Sequence, residues 1–481
     1  MLTPEYLQSV PDALVDLYAQ AEMDILADMA RRINGFDMFI PSAQYQMQVL
    51  EEMGALQSDI VAELSRLTGK SRKELAAIMR EAGMTSLAAD EALYRAAGLT
   101  SSPLSASPAV KEVLAAGLKK TNGLFTNLTK TTANTATKQF ERALDRAYMQ
   151  ISSGAFDPAT ATKNVIKDLA KDGVGAITYS SGHVDSLEVA VRRAVVTGVN
   201  QTCGKMQEAR ADEMGCDLVE VTAHPGARPA HAQWQGQIYS RSGKSKKYLD
   251  FVQSTRYGYG DGLMGWNCSH SFRPYIEGML RTYPEKLLES YTAQNYEYNG
   301  QKMTQYEAMQ KQRGIERNLR RWKRENMAMK SAGLDTTESA AKIAKWQGIQ
   351  KDFLVQTGLK RQAARESIAG WGRSQAASVV STNRAYTVFS SKILTAGKTF
   401  TNVNIAAVSS HVYGRAKERG VNAEGIIDAL TNPLKTNSIR ADKSQQFIGA
   451  TATVAINVDS GKVVSVWPTS TKKANKLKGG K

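Results

Sequence analysis

The sequence predicts a mainly α-helical protein with long helices. It also predicts a small irregular α/β core rich in Gly, His and Cys at about 216–280, and a C-terminal α+β module of helices followed by an antiparallel hairpin. Three observations support this fold class. Apolar residues recur at helical spacing over most of the chain. Glycines recur at short intervals within 216–280, which indicates irregular backbone. Between Ile448 and Val458, apolar residues alternate with small or polar ones, as in a half-buried strand.

The N-terminal part is predicted to be helical. Apolar residues at helical spacing, with acidic residues on the other side, predict a helix over about 10–33. Pro41 breaks the pattern, and a second helix is expected over about 42–67. Ser71 and Glu74 have the spacing of a capping box, which predicts the start of a third helix.

Residues 99–108 contain Ser and Pro in a pattern typical of a linker or an exposed loop. After it, one helix is expected from 184 to Gly215, and a short strand from Leu218 to Thr222 leads into the glycine-rich core. The other helices expected in this part lie over about 109–120, 133–153 and 158–171.

The glycine-rich core contains three histidines and a cysteine that could bind zinc. Imidazole and thiolate are suitable zinc ligands, so His224, His231, Cys268 and His270 are a candidate tetrahedral structural site. One alternative is a hydrogen-bonded polar core, in which Arg228 and the histidines connect loops. A catalytic Cys–His pair is the third interpretation, although a buried cysteine is usually inert.

The last part of the chain is predicted to change from long basic helices to the α+β module. Long helices are expected over 301–330 and 338–385, and shorter ones from near His411 and over 422–430. The module ends in a strand over 448–458, a turn over 459–462, a second strand over 463–467 and a flexible basic tail.

The chain has 481 residues, enough for two to four domains. We predict four: 1–108, 109–300, 301–389 and 390–481. Three cysteines are too few for a disulfide framework and suit a reducing cytosol. No apolar run approaches the roughly 18 residues of a membrane span, and the N-terminus lacks a signal-peptide pattern. We therefore expect a soluble protein without a cleaved signal.

The net charge of +16 is unevenly distributed. Residues 1–150 sum to −3, 151–300 to zero, 301–385 to +10 and 386–481 to +9. This contrast indicates that the basic end binds nucleic acid and the other end binds protein. The alternative for 301–385 is a solvated basic helix surface. The candidate nucleic-acid contacts are Arg317, Arg320, Arg321, Lys323, Arg324, Lys472 and Lys473.

Ordered blocks of residues cross the central part of the chain. They are Arg193-x-x-x-Thr197-x-x-Asn200, His224-x-x-x-Arg228-x-x-His231 and Gly265-x-Asn267-Cys268-x-His270-x-Phe272-x-Pro274. In these blocks residues 1–385 resemble the phage minor capsid protein 2 family, which looks like a branch of the Mu-type head-morphogenesis proteins. The resemblance implies a minor head protein of a tailed phage. It would lie at the portal vertex of the virion and in the host cytoplasm during assembly. The implied partners are portal, major capsid and scaffold proteins and packaged double-stranded DNA.

A second group of residues resembles the phage members of the barnase–EndoU–colicin–RelE-like nuclease superfamily. The matching segments are 410–420, 426–433, 448–458 and 466–470. Such a module implies an RNA substrate and an immunity protein as partners. It would make the chain a virion protein with an effector module, or a polymorphic toxin delivered with the genome. A nucleic-acid-binding protein with a non-catalytic module is the remaining alternative.

The residues of this module suit RNA cleavage without metal, which requires a base, an acid and cations on the phosphate. His411, Arg415 and Arg419 recur at i, i+4 and i+8, on one helix face. His411 would transfer the proton. Arg415 and Arg419, or Lys417, would hold the phosphate, and Thr469 or Ser470 would donate from a hydroxyl. The alternative is that His411 is an ordinary residue of a helix N-terminus and the module only binds DNA or a virion protein.

Overall fold

The computed structural model describes residues 2–38, 40–99, 106–400 and 405–479. The chain divides into two compact units, Met1–Glu316 with Asp352–Ala369, and Arg317–Lys351 with Gly370–Lys481. Long helices dominate, with a small irregular α/β core and a C-terminal α+β module, so the predicted fold class is confirmed. The division into four domains stays a prediction. Among the described residues, no helix has the length and apolar character that a membrane crossing requires.

Six helices form the first part of the first unit. Their bounds are α1 Pro4–Ser9, α2 Asp12–Gly35, α3 Ser42–Ala96, α4 Pro108–Ser152, α5 Pro158–Asp172 and α6 Leu187–Glu213. α3, α4 and α6 pack against one another, and their apolar stripes form the core. Of the predicted linker, residues 100–105 lie outside the described residues.

The capping-box prediction at Ser71 is wrong, because Ser71 lies inside the 55-residue helix α3. Its buried hydroxyl donates to the carbonyl oxygen of Leu67 at 2.8 Å, four residues earlier. Buried apolar residues continue at helical spacing on both sides, as Leu64 and Leu75 show, so tertiary packing extends the helix.

The helices expected over 109–120 and 133–153 are parts of the single helix α4. The residues between them include Thr129 and Thr132, whose side chains are buried. Thr129 donates from its hydroxyl to the carbonyl oxygen of Phe125 at 3.3 Å. A threonine whose hydroxyl donates to the carbonyl four residues earlier can remain inside a helix, although threonine on its own favours caps and loops.

Short strands precede α6, which begins three residues later than the sequence pattern indicates. β1 Gly175–Thr178 and β2 Val184–Ser186 pair antiparallel. The buried carboxylate of Asp185 on β2 lies 2.6 Å from Nη1 of Arg193 on α6. This ion pair connects the hairpin to the helix.

The irregular core follows α6 and contains a four-stranded sheet in the order β5-β4-β3-β6. β3 pairs antiparallel with β4 and with β6, whereas β4 and β5 are parallel. A hairpin of β7 and β8 ends this part. The elements are β3 Leu218–Val221, α7 Pro229–Ala232, β4 Ile238–Ser240, β5 Leu249–Asp250, α8 Phe251–Thr255, β6 Phe272–Pro274, α9 Glu285–Thr292, β7 Tyr296–Tyr298 and β8 Gln301–Met303.

The next four helices are α10 Gln305–Ser331, α11 Thr337–Thr357, α12 Ala363–Glu366 and α13 Arg373–Phe400. The prediction of one helix over 338–385 is therefore wrong. Gly358 and Gly370 have φ values of 68° and 73°, a conformation that glycine adopts without strain. Gly358 directly follows α11, and Gly370 lies between α12 and α13.

The C-terminal module contains a five-stranded sheet in the order β10-β11-β12-β13-β9. β9 runs parallel to β13, and the other pairs are antiparallel. Ile393 on α13 belongs to the module's core with Ile426 and Val454. The elements are β9 Ala407–Val408, α14 Ser410–Glu418, α15 Ala423–Thr431, β10 Lys435–Thr436, β11 Ser444–Ile448, β12 Ala452–Asn457, β13 Lys462–Pro468 and α16 Thr471–Lys478.

Two predictions for this module are corrected. Residues 448–458 do not form one strand, because the chain turns between β11 and β12 at Gly449, where a Cβ atom would lie 2.6 Å from the Cα of Ala429. The expected basic tail is the helix α16, which Ser470 caps by accepting a hydrogen bond from the backbone N–H of Lys473. Residues 480 and 481 lie outside the described residues.

A buried carboxyl group in the first unit makes its stability depend on pH. Burial and, to a smaller extent, the Glu366 carboxylate raise the pKa of Glu316 to about 7 against the opposing effect of Arg365 and Arg313. The folded protein therefore binds more protons than the unfolded chain between the unfolded pKa of about 4.5 and the folded pKa. The free energy of unfolding should fall as the pH rises through this window.

Glu316→Gln should remove that pH dependence. At about pH 8 we expect the variant to be about 1–3 kcal/mol more stable than the wild type, and at about pH 4 similar to it. Urea unfolding at both pH values measures the difference. Glu289→Gln is the control, because Glu289 is exposed. An equal gain in both variants would contradict the assignment to Glu316.

Candidate functional site

Three of the four predicted zinc ligands meet in the irregular core. His231, Cys268 and His270 are 3%, 2% and 1% exposed. Sγ of Cys268 lies 3.8 Å from Nδ1 of His231 and 3.6 Å from Nδ1 of His270. One ligand atom from each residue lies within 4.8 Å of the other two. The group could therefore hold a metal ion.

The fourth predicted ligand, His224, lies beside this group. Its ring packs against the ring of His270 with 4.4 Å between centroids. Nδ1 of His224 is 3.1 Å from the carbonyl oxygen of Pro225. The three-residue ligand group does not include His224.

Hydrogen bonds define the proton positions on both imidazoles. Nε2 of His231 lies 3.0 Å from the carbonyl oxygen of Asp261, which can only accept, so this nitrogen carries the hydrogen. Oε1 of Gln235 accepts from the backbone N–H of His224 at 3.1 Å. The same oxygen lies 3.1 Å from Nε2 of His270, which therefore donates. In the neutral rings both Nδ1 atoms carry lone pairs directed at Sγ of Cys268.

Helix α6 holds the Cys268–His270 segment in place. The side-chain amide of Asn200, which is fully buried, donates to the carbonyl oxygens of Cys268 at 3.0 Å and His270 at 3.1 Å. Seven residues later, Gln207 donates to the carbonyl oxygen of Phe272 at 2.7 Å. Residues seven apart share a helix face. The spacing from Asn200 could have identified Gln207 as a second residue that holds this segment, but the sequence analysis did not predict it.

The glycine-rich loop before Cys268 folds closely on itself. A Cβ atom on Gly262 would lie 2.0 Å from the carbonyl oxygen of Arg256. Only glycine therefore fits this turn. Nη2 of Arg228 donates to the carbonyl oxygen of Trp266 at 3.0 Å, which connects the segment around α7 to this loop.

Burial determines the protonation of the cluster. It raises the pKa of the Cys268 thiol and lowers the pKa of His231. It lowers the pKa of His270 far below its usual value. Without a cation, neutral imidazoles and a protonated thiol are expected at neutral pH. A catalytic Cys–His pair requires the opposite shifts, because its thiolate is stabilised beside an imidazolium.

Of the six candidate catalytic residues in the C-terminal module, His411 lines a pocket of about 310 Å³ within the second unit. His411 is the second residue of α14 and is exposed. The pocket holds two cations, Lys342 and Lys462, and one acid, Glu338. The remaining lining residues are Ser409, Ser410 and Val464.

The other five candidate catalytic residues do not line this pocket, and most of them contact other residues of the module. Arg419 donates from Nη1 to the carbonyl oxygen of Val466 at 3.0 Å. Nζ of Lys417 lies 3.9 Å from the carboxylate of Asp335, and Arg415 is half-buried. The hydroxyl of Thr469 is buried 2.8 Å from that of Thr453, and Ser470 caps α16.

The candidate nucleic-acid residues differ in exposure. On α10, Arg317 is exposed and Arg320, Arg321 and Arg324 are half-buried. Lys323 is buried, with its ammonium 5.5 Å from the ring centroid of Trp371. Lys472 and Lys473 are exposed in the first turn of α16.

The clustered residues and α6 lie within residues 2–355, which match the model of the family phage minor capsid protein 2. The chain belongs to this family. It is similar to a structural protein of Lactococcus phage LL-H, with 25% identity over 310 residues, 62% of this chain and 80% of that protein. It is also similar to a structural protein of Lactococcus phage mv4, with 34% identity over 118 residues, 24% of this chain and 88% of that protein. No solved structure matches the chain.

Membership of the phage minor capsid protein 2 family confirms the resemblance in the central blocks. The chain is therefore a bacteriophage structural protein, for which other phage structural proteins are the implied partners. The family match ends before the C-terminal module, so the nuclease-like character of that module stays a prediction.

Proposed function

We propose that this minor capsid protein occupies the portal vertex of the phage head, where its basic C-terminal part contacts packaged double-stranded DNA. Its N-terminal helices would bind portal, major capsid or scaffold protein. The change from −3 over residues 1–150 to +10 over 301–385 and +9 over 386–481 carries this proposal. A polyanion attracts the basic part by charge alone, without reading sequence.

Helix α16 is the best candidate for the DNA contact. Lys472, Lys473, Lys476 and Lys478 are exposed along its eight residues. Exposed side chains can reach phosphates at low cost. By contrast, Lys323 is buried and would have to leave its contact with Trp371 before it could bind DNA.

Fractionated phage particles test the location. The protein should remain with DNA-filled heads that carry the portal after tails are removed, and ultraviolet irradiation of intact particles should cross-link it to the genome. Its absence from purified heads would reject the proposal. Presence in heads without any DNA cross-link would reject the DNA contact.

Replacing the four α16 lysines by glutamine should weaken DNA binding by the full chain and reduce its salt dependence. Each lost phosphate contact lowers the slope of log K against log salt concentration by about 0.9, so a decrease of about 3–4 is expected. Binding measured at several salt concentrations gives the slope. The control replaces exposed lysines of the first unit, Lys73, Lys111, Lys119 and Lys130. Equal slopes in both variants would exclude α16 as the DNA contact.

A second candidate function is metal-independent RNA cleavage in the C-terminal pocket, and the lining of that pocket favours it. His411 is the candidate base for the 2′-hydroxyl proton, and Lys342 and Lys462 are cations for the phosphate oxygens. The 2′-oxygen would attack phosphorus and expel the 5′-oxygen, which takes a proton from water. The products would be a 2′,3′-cyclic phosphate and a 5′-hydroxyl. A volume of about 310 Å³ is at the lower end of ligand pockets.

The second unit limits how this activity can be assayed. Glu338 and Lys342 lie on α11, and Ile393 of the module core lies on α13, which begins at Arg373. A fragment that starts at residue 390 lacks the first two and divides α13. The full chain is therefore the appropriate enzyme preparation.

A further inference from the structure

The cluster in the irregular core contains more hydrogen-bond acceptors than its own hydrogen can satisfy. Nδ1 of His231 and Nδ1 of His270 both face Sγ of Cys268, and both Nε2 atoms already carry hydrogens donated elsewhere. A thiol has one hydrogen, so it can satisfy only one of the two lone pairs. The other is a buried acceptor without its donor, which costs about 1–3 kcal/mol.

The distances in the cluster agree with a tetrahedral ion. Zinc binds sulfur at about 2.3 Å and imidazole nitrogen at about 2.0–2.1 Å, which gives sulfur–nitrogen separations of about 3.5 Å around a tetrahedron. The two observed separations are 3.6 and 3.8 Å. The two sulfur–nitrogen separations therefore suit one ion, and all three ligand atoms lie within 4.8 Å of one another.

We propose that Nδ1 of His231, Sγ of Cys268 and Nδ1 of His270 bind a zinc ion that holds the irregular core together. On binding, the thiol proton goes to solvent, so that Cys268 becomes the thiolate ligand. The metal ion then accepts both Nδ1 lone pairs and a lone pair of the thiolate, so that neither buried imidazole acceptor is left without a partner. His224 is not part of this set. A solvent molecule would take the fourth position.

The surroundings of the three ligands are those that a zinc site requires. Histidine ligands usually donate their second N–H to a carbonyl or carboxyl oxygen, which orients the ring. The carbonyl of Asp261 has this role for His231, and Oε1 of Gln235 has it for His270. The ring of Trp234 packs against both imidazoles, at 4.6 and 4.9 Å between centroids, and covers the site with apolar surface.

Zinc suits this donor set better than the other common divalent ions. Magnesium and calcium prefer oxygen ligands, whereas one thiolate and two imidazoles favour zinc. The ion would connect α7, where His231 lies, to the segment before β6 that carries Cys268 and His270. It would thereby cross-link the two ends of the irregular segment between His231 and Cys268, which has few strand hydrogen bonds of its own.

Metal analysis of the purified full chain is the first test. We expect about one zinc per chain, and removal by a chelator should lower the melting temperature of the first unit. Replacing zinc by cobalt(II) should produce tetrahedral visible bands and a sulfur-to-cobalt charge-transfer band, which reports a thiolate ligand directly. A protein with far less than one zinc and no such band after cobalt addition would overturn the proposal.

Cysteine and histidine variants assign the ligands. Cys268→Ser should remove the charge-transfer band, whereas Cys216→Ser should keep it, because the Cys216 thiol hydrogen-bonds to the carbonyl oxygen of Leu218 instead. His224→Ala should also keep the band. A band that survives Cys268→Ser, or is lost in His224→Ala, would overturn the ligand set. If Cys268→Ser does not fold, the band in the wild type and in Cys216→Ser still tests thiolate ligation.

A residue that does not touch the ion gives an independent test. Gln235→Leu removes the acceptor for the N–H of His270, and loss of such a partner weakens zinc binding by about 10–100-fold. Gln235→Glu should restore most of the affinity, because its carboxylate accepts the same hydrogen bond. Gln233→Leu is the control on the exposed side of the same turn. Affinities come from competition with a chromogenic chelator. Equal affinities for the Gln235→Leu and Gln233→Leu variants would contradict the role of Gln235.

Discussion

Asn200→Leu should lower the free energy of unfolding of the first unit by about 2–4 kcal/mol. The side-chain amide of Asn200 donates to the carbonyl oxygens of both Cys268 and His270, and all of these groups are buried. Leucine has the same number of side-chain heavy atoms, branched at the same position, but no donor, so two buried acceptors lose their partner at about 1–3 kcal/mol each. Urea unfolding measures the total loss.

Hydrogen exchange should locate this effect. Backbone amides at 270–272 should exchange faster in Asn200→Leu, because α6 no longer holds the segment that leads into β6. Asn127→Leu is the matched control, since Asn127 lies exposed on α4 and should change stability by less than about 0.5 kcal/mol. Faster exchange spread evenly over the unit, or equal stability of the two variants, would mean that Asn200 does not act as a clamp.

His411→Ala should reduce RNA cleavage by the full chain by about 10²–10⁴-fold, the contribution typical of a positioned proton-transfer residue. RNA binding should change little, because Lys342 and Lys462 remain in the pocket. The assay uses labelled RNA in the presence of a chelator, and cyclic phosphate ends are measured among the products. Lys462→Gln should weaken both binding and rate, since this cation would act in the ground state and in the transition state.

Thr469 provides the control for this experiment. The sequence interpretation made its hydroxyl a candidate donor, but that hydroxyl is buried against Thr453 and does not line the pocket. Thr469→Ser retains the hydroxyl pair and should keep the wild-type rate. Equal cleavage by wild type and His411→Ala would reject His411 as the proton-transfer residue. No cleavage of any RNA in a varied panel would leave the module a binding domain.

Several elements were predictable because one local pattern determined them. The periodic apolar residues of α2 and α5, with clear breaks at both ends, placed these helices within about two residues. The prediction failed for α3 and α4, where Ser71 and Thr129 lie in the middle of long helices. Local preference favours caps and loops at such residues, but packing against neighbouring helices determines the outcome.

The candidate metal centre shows the same limit at the level of single atoms. Residue types predicted His231, Cys268 and His270 as metal ligands, and the fold places them together. Their proton positions depend on Asp261 and Gln235, and nothing in the local sequence marks either residue as a partner. Gln207 was missed for a similar reason, since its partner Phe272 lies 65 residues away.

By itself, the sequence determined the helical class, the family and the separation of charge along the chain, because composition and ordered motifs carry this information without coordinates. The tertiary structure decided which of the marked side chains can act. It buries Lys323 against Trp371, turns Ser470 into a helix cap and directs two imidazole nitrogens at one sulfur. These outcomes depend on contacts between residues far apart in the chain, and their energies exceed the weak local preferences that a sequence pattern expresses.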